Sequence, residues 1–296
     1  MTGPRFAVLE APSVLGLFPN GVERLPDALL AAGLAGRIGA RRAGRVEPPP
    51  YDPARDPGTG LLNPRGIAAY SAALADAVGG VLATGEFPIV LGGDCSILLG
   101  CLLALRRREG RHGLLFLDGH ADFYQPEAEP NGEAASMDLT LAVGSGPVVV
   151  TNPGGMRPLV REEDVVAVGR RDADDTERHG SQRIEDSAVE VIDLAALRRV
   201  GAGAVAERAL RRLASPGLGG FWIHLDADVL DDALVPAVDY RLPGGLSWGE
   251  FDALLRAALA SGRAVGLDVT ILNPALDPGG RVAAALADAL VRALRP

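Results

Sequence analysis

Seven short apolar runs, separated by longer amphipathic stretches, constrain the fold of this 296-residue chain more than any other feature. Runs rich in β-branched residues are typical of strands that are buried on both faces, and the stretches between them have the pattern of helices. The runs are Phe6–Leu9, Phe87–Leu91, Leu114–Leu117, Val165–Val168, Val189–Ile192, Phe221–Leu225 and Val265–Leu267. Their alternation with helices predicts an α/β fold with a parallel sheet covered on both faces.

Local signals predict where two of the helices begin. Asn63 and Pro64 offer a cap and a first-turn proline before a helix expected over residues 67–81. Ser247 and Glu250 have the spacing of a capping box at the start of a later helix.

Composition argues against several classes of partner. The chain has 29 Lys and Arg against 38 Asp and Glu, and its net charge of -9 disfavours nucleic acid. No run of about 18 uncharged apolar residues occurs, so no membrane partner is expected and a cytoplasmic location is the default. Cys95 and Cys101 are the only cysteines, which does not indicate a disulfide framework. We expect a single domain over residues 1–296.

Potential metal ligands follow two of the predicted strands directly. They are spaced two residues apart: Asp118, His120 and Asp122 after one strand, and Asp226 and Asp228 after another. Alternation along a strand turns every second side chain to one face, and the carboxyl ends of parallel strands share one edge of a sheet. Carboxylates grouped this closely repel one another unless cations neutralise them. The pattern therefore predicts a site for two divalent metal ions.

Three ordered motifs resemble the metal-binding motifs of the ureohydrolase family of arginases and agmatinases. The motifs are Leu91–Ser96 (LGGDCS), Leu117–Asp122 (LDGHAD) and Leu225–Asp231 (LDADVLD). The resemblance covers most of the chain from about residue 60 onward. It implies a three-layer arginase-like α/β fold around a mostly parallel eight-stranded sheet, hydrolysis of a linear C–N bond of a small molecule, and a homo-oligomer, either a trimer or a hexamer.

Carried over position by position, the resemblance implies that two Mn²⁺ ions bind six side chains: Cys95, Asp118, His120, Asp122, Asp226 and Asp228. Cys95 stands where the family usually has a metal-binding histidine. A thiolate there would add negative charge and favour Zn²⁺ as an alternative metal. The competing interpretation is that Cys95 is a buried structural thiol beside an incomplete site.

The chain also lacks the histidine that this family uses for proton transfer. Ala135 occupies that position, and a methyl group cannot carry a proton. The candidate catalytic residues are therefore Asp122, Glu133 and His224, with Asp138 as a further substitute. For His224, which lies inside an apolar strand, the alternative is a packed core histidine.

A third departure concerns the substrate. Ile271 stands where arginases and agmatinases use a glutamate to bind the guanidinium group, so an ordinary guanidinium substrate would lose its charged partner. Asp172 and Asp174 match positions that meet the amino end of the substrate, although both could be surface loop residues. We expect a neutral or differently shaped amide, ureido or amidine substrate; a guanidino or N-hydroxyguanidino hydrolase and a catalytically inactive paralogue are the alternatives.

Overall fold

The computed structural model describes residues 4–295, so Met1–Gly3 and Pro296 of the predicted domain lie outside the described residues. Within residues 4–295 the strands are β1 (Phe6–Ala11), β2 (Arg41–Arg45), β3 (Phe87–Gly92), β4 (Arg111–Leu117), β5 (Val165–Val168), β6 (Glu190–Ile192), β7 (Leu218–Asp226) and β8 (Ala264–Thr270). They form one sheet in the order β2-β1-β3-β8-β7-β4-β5-β6. Every pairing between these strands is parallel, so the predicted three-layer α/β fold is confirmed.

Helices cover both faces of the sheet and enclose a hydrophobic core on each. The α-helices are α1 (Leu25–Ala31), α2 (Leu34–Ile38), α3 (Pro64–Ala83), α4 (Ile97–Arg106), α5 (Asp138–Ala142), α6 (Val148–Thr151), α7 (Ala173–Arg178), α8 (Leu194–Val200), α9 (Ala202–Leu213), α10 (Trp248–Ala260) and α11 (Arg281–Leu294). Helices α3 to α6 pack on one face, and α1, α2 and α8 to α11 pack on the other.

The two predicted helix starts have different outcomes. The capping box is confirmed, because the Ser247 hydroxyl accepts from the Glu250 amide while the Glu250 carboxylate accepts from the Ser247 amide at 2.8 Å. Helix α3 begins at Pro64 as expected, but Asn63 does not cap it with its side chain. Instead Asn63 accepts from the amide of Asp52 at 2.7 Å and donates to the carbonyl of Leu15 at 3.1 Å. The longer-range contacts of Asn63 therefore override the local signal.

The edge strand β2 was not among the predicted strands. Its sequence, RRAGR, is mostly exposed and carries no apolar run. Two of its arginines, Arg42 and Arg45, pair instead with Glu10 on β1. A charged edge strand of this kind discourages pairing with another sheet. Because β2 has no apolar run, the hydrophobic pattern alone does not reveal it.

Helix α3 has the length and composition of a membrane span, with a mean hydropathy of 1.5 over its most apolar window. Its apolar side chains, however, are used inside the protein: Ile67, Leu74 and Val78 are buried in the core together with residues of α4. The helix therefore has the contacts of a core helix. Among residues 4–295, no other helix is both long enough and apolar enough to span a membrane.

The centre of the sheet positions the candidate site. Strands β3, β8, β7 and β4 are neighbours, and because all are parallel their carboxyl ends lie at one edge. Cys95, Asp118, Asp226 and Ile271 lie at or just after the ends of these four strands. Ligands of open parallel sheets collect at this edge.

Candidate metal centre

Two groups of potential metal-ligand atoms form at this edge, and within each group the atoms lie within 4.8 Å of one another. We name them the Cys95 half, made of Cys95, Asp118, His224 and Asp226, and the His120 half, made of Asp118, His120 and Asp228. Asp118 belongs to both. Of the predicted ligands, only Asp122 falls in neither group, and His224 joins the Cys95 half although it was not predicted as a ligand.

The His120 half is held together by its own hydrogen bonds. The Nδ1 atom of His120 lies 2.9 Å from the Oδ2 atom of Asp228, and the Asp118 carboxylate accepts from the His120 amide at 2.6 Å. Burial opposes a charged imidazole, but the adjacent Asp228 outweighs it and raises the pKa of His120 to about 10. Burial would likewise raise the pKa of Asp228, but His120 holds it below its ordinary value. This half carries an internal ion pair.

The Cys95 half is deeply buried, and fewer of its polar atoms have hydrogen-bond partners than in the His120 half. The Cys95 thiol donates to Asp226 at 2.9 Å, and its sulfur lies 3.3 Å from the Thr270 hydroxyl. Burial, reinforced by neighbouring carboxylates, raises the pKa of Cys95, Asp118 and Asp226 well above their ordinary values. One Asp118 oxygen has no hydrogen-bond partner within residues 4–295. Such a group of acids is unfavourable as anions unless cations enter it.

His224 is enclosed rather than open to a substrate. Its ring stacks on Phe116 with 4.7 Å between ring centroids, and its Nδ1 atom lies 2.6 Å from a carboxylate oxygen of Asp268. All three side chains are fully buried. His224 is not among the residues that line the cavity described below, so the structure does not support direct proton transfer from it to a substrate.

Two further aspartates lie close to these groups. Asp122 lines the cavity with a backbone φ of 45°, and burial raises its pKa to about 7. Asp138 is fully buried, and neither of its carboxylate oxygens has a hydrogen-bond partner in the described part of the chain. Burial and the nearby Asp122 raise the pKa of Asp138 well above its ordinary value. Like His224, Asp138 is not among the residues that line the cavity, so the structure does not support direct proton transfer from it to a substrate.

A cavity of about 650 Å³ opens over the metal centre. This volume suits a small molecule. Glu133, a predicted catalytic residue, is 2% exposed on its wall, where it accepts from the Phe18 amide at 3.2 Å and from the hydroxyl of Tyr240. These two hydrogen bonds fix the position of the Glu133 side chain at the edge of the site.

The two aspartates predicted to bind the substrate, Asp172 and Asp174, differ in their position relative to the cavity. Asp172 lines the cavity but is buried, and its two oxygens accept from Arg170 at 2.8 Å and from the Ala121 amide at 2.9 Å. It therefore supports the loop that carries the metal ligands. Asp174 is exposed and does not line the cavity, whereas Asp175 does. The prediction for Asp174 is thus not supported, because the start of helix α7 turns its neighbour inward.

Ile271 lies in the wall of the same cavity, as does Ala135. Its backbone φ is 69°, a left-handed conformation that β-branched residues rarely adopt. The amide of Ile271 donates to the carbonyl of Gly93 at 2.9 Å, which ties it to the loop before Cys95. Cys95 lines the cavity as well, so all three departures from the family pattern face the space available to a substrate.

Several residues that line the cavity are not predicted by the sequence analysis. The hydroxyl of Tyr124 lies 3.3 Å from a ring nitrogen of His179, and both line the cavity together with Tyr240. His179 follows helix α7 in a segment without a recognisable sequence motif, so its sequence context does not indicate a function. Only the folded arrangement of distant segments reveals these residues.

Comparison with known proteins identifies the family. A sequence profile of the arginase family matches residues 6–295. The chain belongs to the arginase family. It is 29% identical over 283 residues to an arginase of Staphylococcus aureus strain COL, covering 93% of this chain and 92% of that protein. An arginase of Brevibacillus brevis is 32% identical over 204 residues, covering 69% of this chain and 67% of that protein.

Solved structures agree with this membership. The native structure of the arginase from Bacillus caldovelox superposes with a TM-score of 0.88 at 25% identity, covering 99% of each chain. The predicted ureohydrolase family is therefore confirmed, and with it the predicted class of enzyme, a metal-dependent hydrolase of non-peptide C–N bonds.

Proposed function

We propose that this chain uses two divalent metal ions to hydrolyse a linear C–N bond of a small molecule other than plain arginine. Ile271 carries this proposal, because it presents an apolar side chain to the cavity that the metal centre shares. A guanidinium beside it would lack the charged hydrogen-bond acceptor that offsets its desolvation. An amide, ureido or substituted amidine group would lose less hydration free energy on binding beside Ile271, because a neutral group is less costly to desolvate than a cation.

The residues present fit a pair of metal ions. The buried carboxylates repel one another, and one oxygen of Asp118 has no partner among the described residues. The proposed ligands are Cys95, Asp118, His120, Asp122, Asp226 and Asp228, with Asp122 assigned from the family motif. Mn²⁺ is the expected metal, and Zn²⁺ is the alternative because a thiolate is a soft ligand.

The chemistry divides between the metals and the protein. When bound, the metal pair supplies Lewis acidity, which makes water acidic near neutral pH and stabilises developing negative charge. Glu133 is the proposed proton-transfer residue in place of the missing histidine, and Tyr240 holds its carboxylate at the cavity wall. An amino group on the substrate would meet Asp175, since Asp174 points outside the cavity.

Arginase-like activity on a guanidino or N-hydroxyguanidino compound is a second candidate. Two observations favour it: the relatives of this chain are named arginases, and acidic residues including Glu129 and Asp175 line the cavity, which suits a cation. A homo-oligomer, either trimeric or hexameric, and a cytoplasmic location belong to the same family-based proposal.

A substrate panel tests the proposal. The metal-loaded enzyme is given arginine, agmatine, N-hydroxyarginine and a set of linear amides, ureido compounds and substituted amidines, and release of ammonia or urea is measured. We expect the highest kcat/KM on a compound without a free guanidinium. Arginine as the best substrate would overturn the proposal, and stoichiometric metal without hydrolysis of any compound would favour a non-catalytic paralogue. The Asp118→Asn variant controls for contaminating hydrolases.

A further inference from the structure

His224 has a ring nitrogen for which the protein supplies no partner. Its Nδ1 atom is 2.6 Å from Asp268, which also accepts a hydrogen bond from the indole of Trp222. A carboxylate at Nδ1 holds the proton on that nitrogen and leaves a lone pair on Nε2. The Nε2 atom is fully buried and has no hydrogen-bond partner anywhere in residues 4–295.

The His224 ring lies among potential metal ligands. His224 and Asp226 are two residues apart on β7, so both side chains emerge on the same face of the sheet. A ring nitrogen of His224 is within 4.8 Å of ligand atoms of Cys95, Asp118 and Asp226. Since Nδ1 is already engaged by Asp268, Nε2 is the atom available to an ion between them.

The nearest other acceptor is too distant to explain the arrangement. A carboxylate oxygen of Asp138 lies 3.9 Å from Nε2, beyond hydrogen-bonding distance, and neither Asp138 oxygen has another partner in the described chain. A buried polar atom without a partner is unfavourable, because it has lost its hydrogen bonds to water and gained none from the protein. A cation bound between these groups would satisfy Nε2 and neutralise the carboxylates together.

We propose that His224 is a metal ligand through Nε2, that it provides the imidazole which the Cys95 position no longer supplies, and that Asp268 is its positioning residue. This inference rests on the proposed dinuclear function. The Cys95 half, which does not include Asp122, then supplies one thiolate, one imidazole and two carboxylates. Four donors of these types suit Zn²⁺, so this half should select Zn²⁺ more strongly than the His120 half does.

Metal binding to the purified chain tests the proposal without any substrate. Wild type, His224→Gln and Asp268→Asn are loaded with Zn²⁺ and dialysed, bound metal per chain is measured, and affinities follow from titration with a competing chelator. We expect two ions in the wild type, loss of one in His224→Gln, and an affinity about 10- to 100-fold lower at one site in Asp268→Asn. His112→Gln, which changes a histidine of β4 outside both halves, should match the wild type.

Two metals bound with wild-type affinity in His224→Gln would overturn the assignment while leaving the proposed function intact. A wild type that binds no metal would overturn the proposed function itself. If His224→Gln does not fold, the wild-type chain still decides the question, because nitrogen NMR of the His224 ring reports metal binding directly. A shift confined to Nε2 on adding Zn²⁺ supports the proposal, and an unchanged Nε2 signal with two ions bound, or one that reports a proton shared with Asp138, refutes it.

Discussion

The two halves of the metal centre differ in how far the protein satisfies them on its own. In the His120 half, His120 and Asp228 neutralise each other at 2.9 Å. The unpartnered oxygen of Asp118 is common to both halves, but the Cys95 half also contains the Nε2 atom of His224, which lacks a partner within the described chain. The adjacent Asp138 lacks partners on both oxygens. The comparison teaches that one half can keep its shape without cations, whereas the other depends on them.

The largest effect is expected where the halves meet. Asp118→Asn removes the one ligand common to both, so we expect loss of both ions and a fall in turnover of about 10³-fold or more, since Lewis acidity contributes several kcal/mol. Metal analysis and steady-state kinetics measure this. Asp76→Asn, on the exposed side of α3, is the control and should behave as wild type. Retention of either ion at full affinity would show that the halves do not share Asp118.

A more selective change is expected at the thiol. Cys95→Ala should lose one ion and keep the other, while Cys95→His should bind two and shift its preference toward Mn²⁺. Cys101→Ala is a matched control, because that thiol is equally buried but lies within helix α4. Unchanged metal content in both Cys95 variants would remove Cys95 from the ligand set.

Substrate choice should respond without a change in metal content. Ile271→Glu restores a carboxylate at the cavity wall, and a charged hydrogen bond of about 1.5–3 kcal/mol predicts a ~10- to 100-fold rise in kcat/KM for arginine. Ile271→Gln, which has the same length without the charge, should gain far less. Equal effects of the two variants would mean that shape rather than charge excludes guanidinium.

The smallest effect is expected on local stability. Chelation of the metals should increase amide hydrogen exchange around Asp226 and Thr270 more than around Gly119 and His120. In the Cys95 half no cationic side chain of the described residues offsets the repulsion between carboxylates, whereas in the other half His120 pairs with Asp228. Ligand linkage predicts overall stabilisation by metal of about 3 kcal/mol at a hundredfold excess over Kd. Hydrogen exchange read by mass spectrometry would show the asymmetry, and greater loosening around His120 would reverse the comparison.

Much of the fold and of the His120 half follows from local sequence. Buried strands of a parallel sheet leave continuous apolar runs, and ligands two residues apart at a strand end share a face, so both are visible in the chain itself. The exposed edge strand β2 leaves no such run. The orientation of helix α7 likewise cannot be read from local sequence. Asp175 lies three residues after Asp172 and therefore shares its helix face, so Asp175 rather than Asp174 faces the cavity.

The Cys95 half could be read only in part, because its motifs predict Cys95, Asp118 and Asp226 as ligands but do not bring His224 or Asp138 to them. His224 is 44 residues from Asp268 in sequence, yet the two are paired neighbours on β7 and β8. Asp138 reaches the same place from a helix on one face of the sheet. These contacts depend on strand order and on packing across layers, which local patterns do not encode.

The left-handed backbone at Ile271 has a consequence for how this protein can change over time. A branched side chain held at φ 69° opposes folding by about 1–3 kcal/mol, and glycine at the same position would relieve that opposition. Ile271 is also buried in the hydrophobic core, and loss of its side chain would destabilise the fold by about 2–5 kcal/mol. Ile271→Gly should therefore lower heat resistance while also opening the wall that discriminates among ligands. At this one position, durability and selectivity both depend on the same branched side chain, and the strained backbone conformation is retained with it.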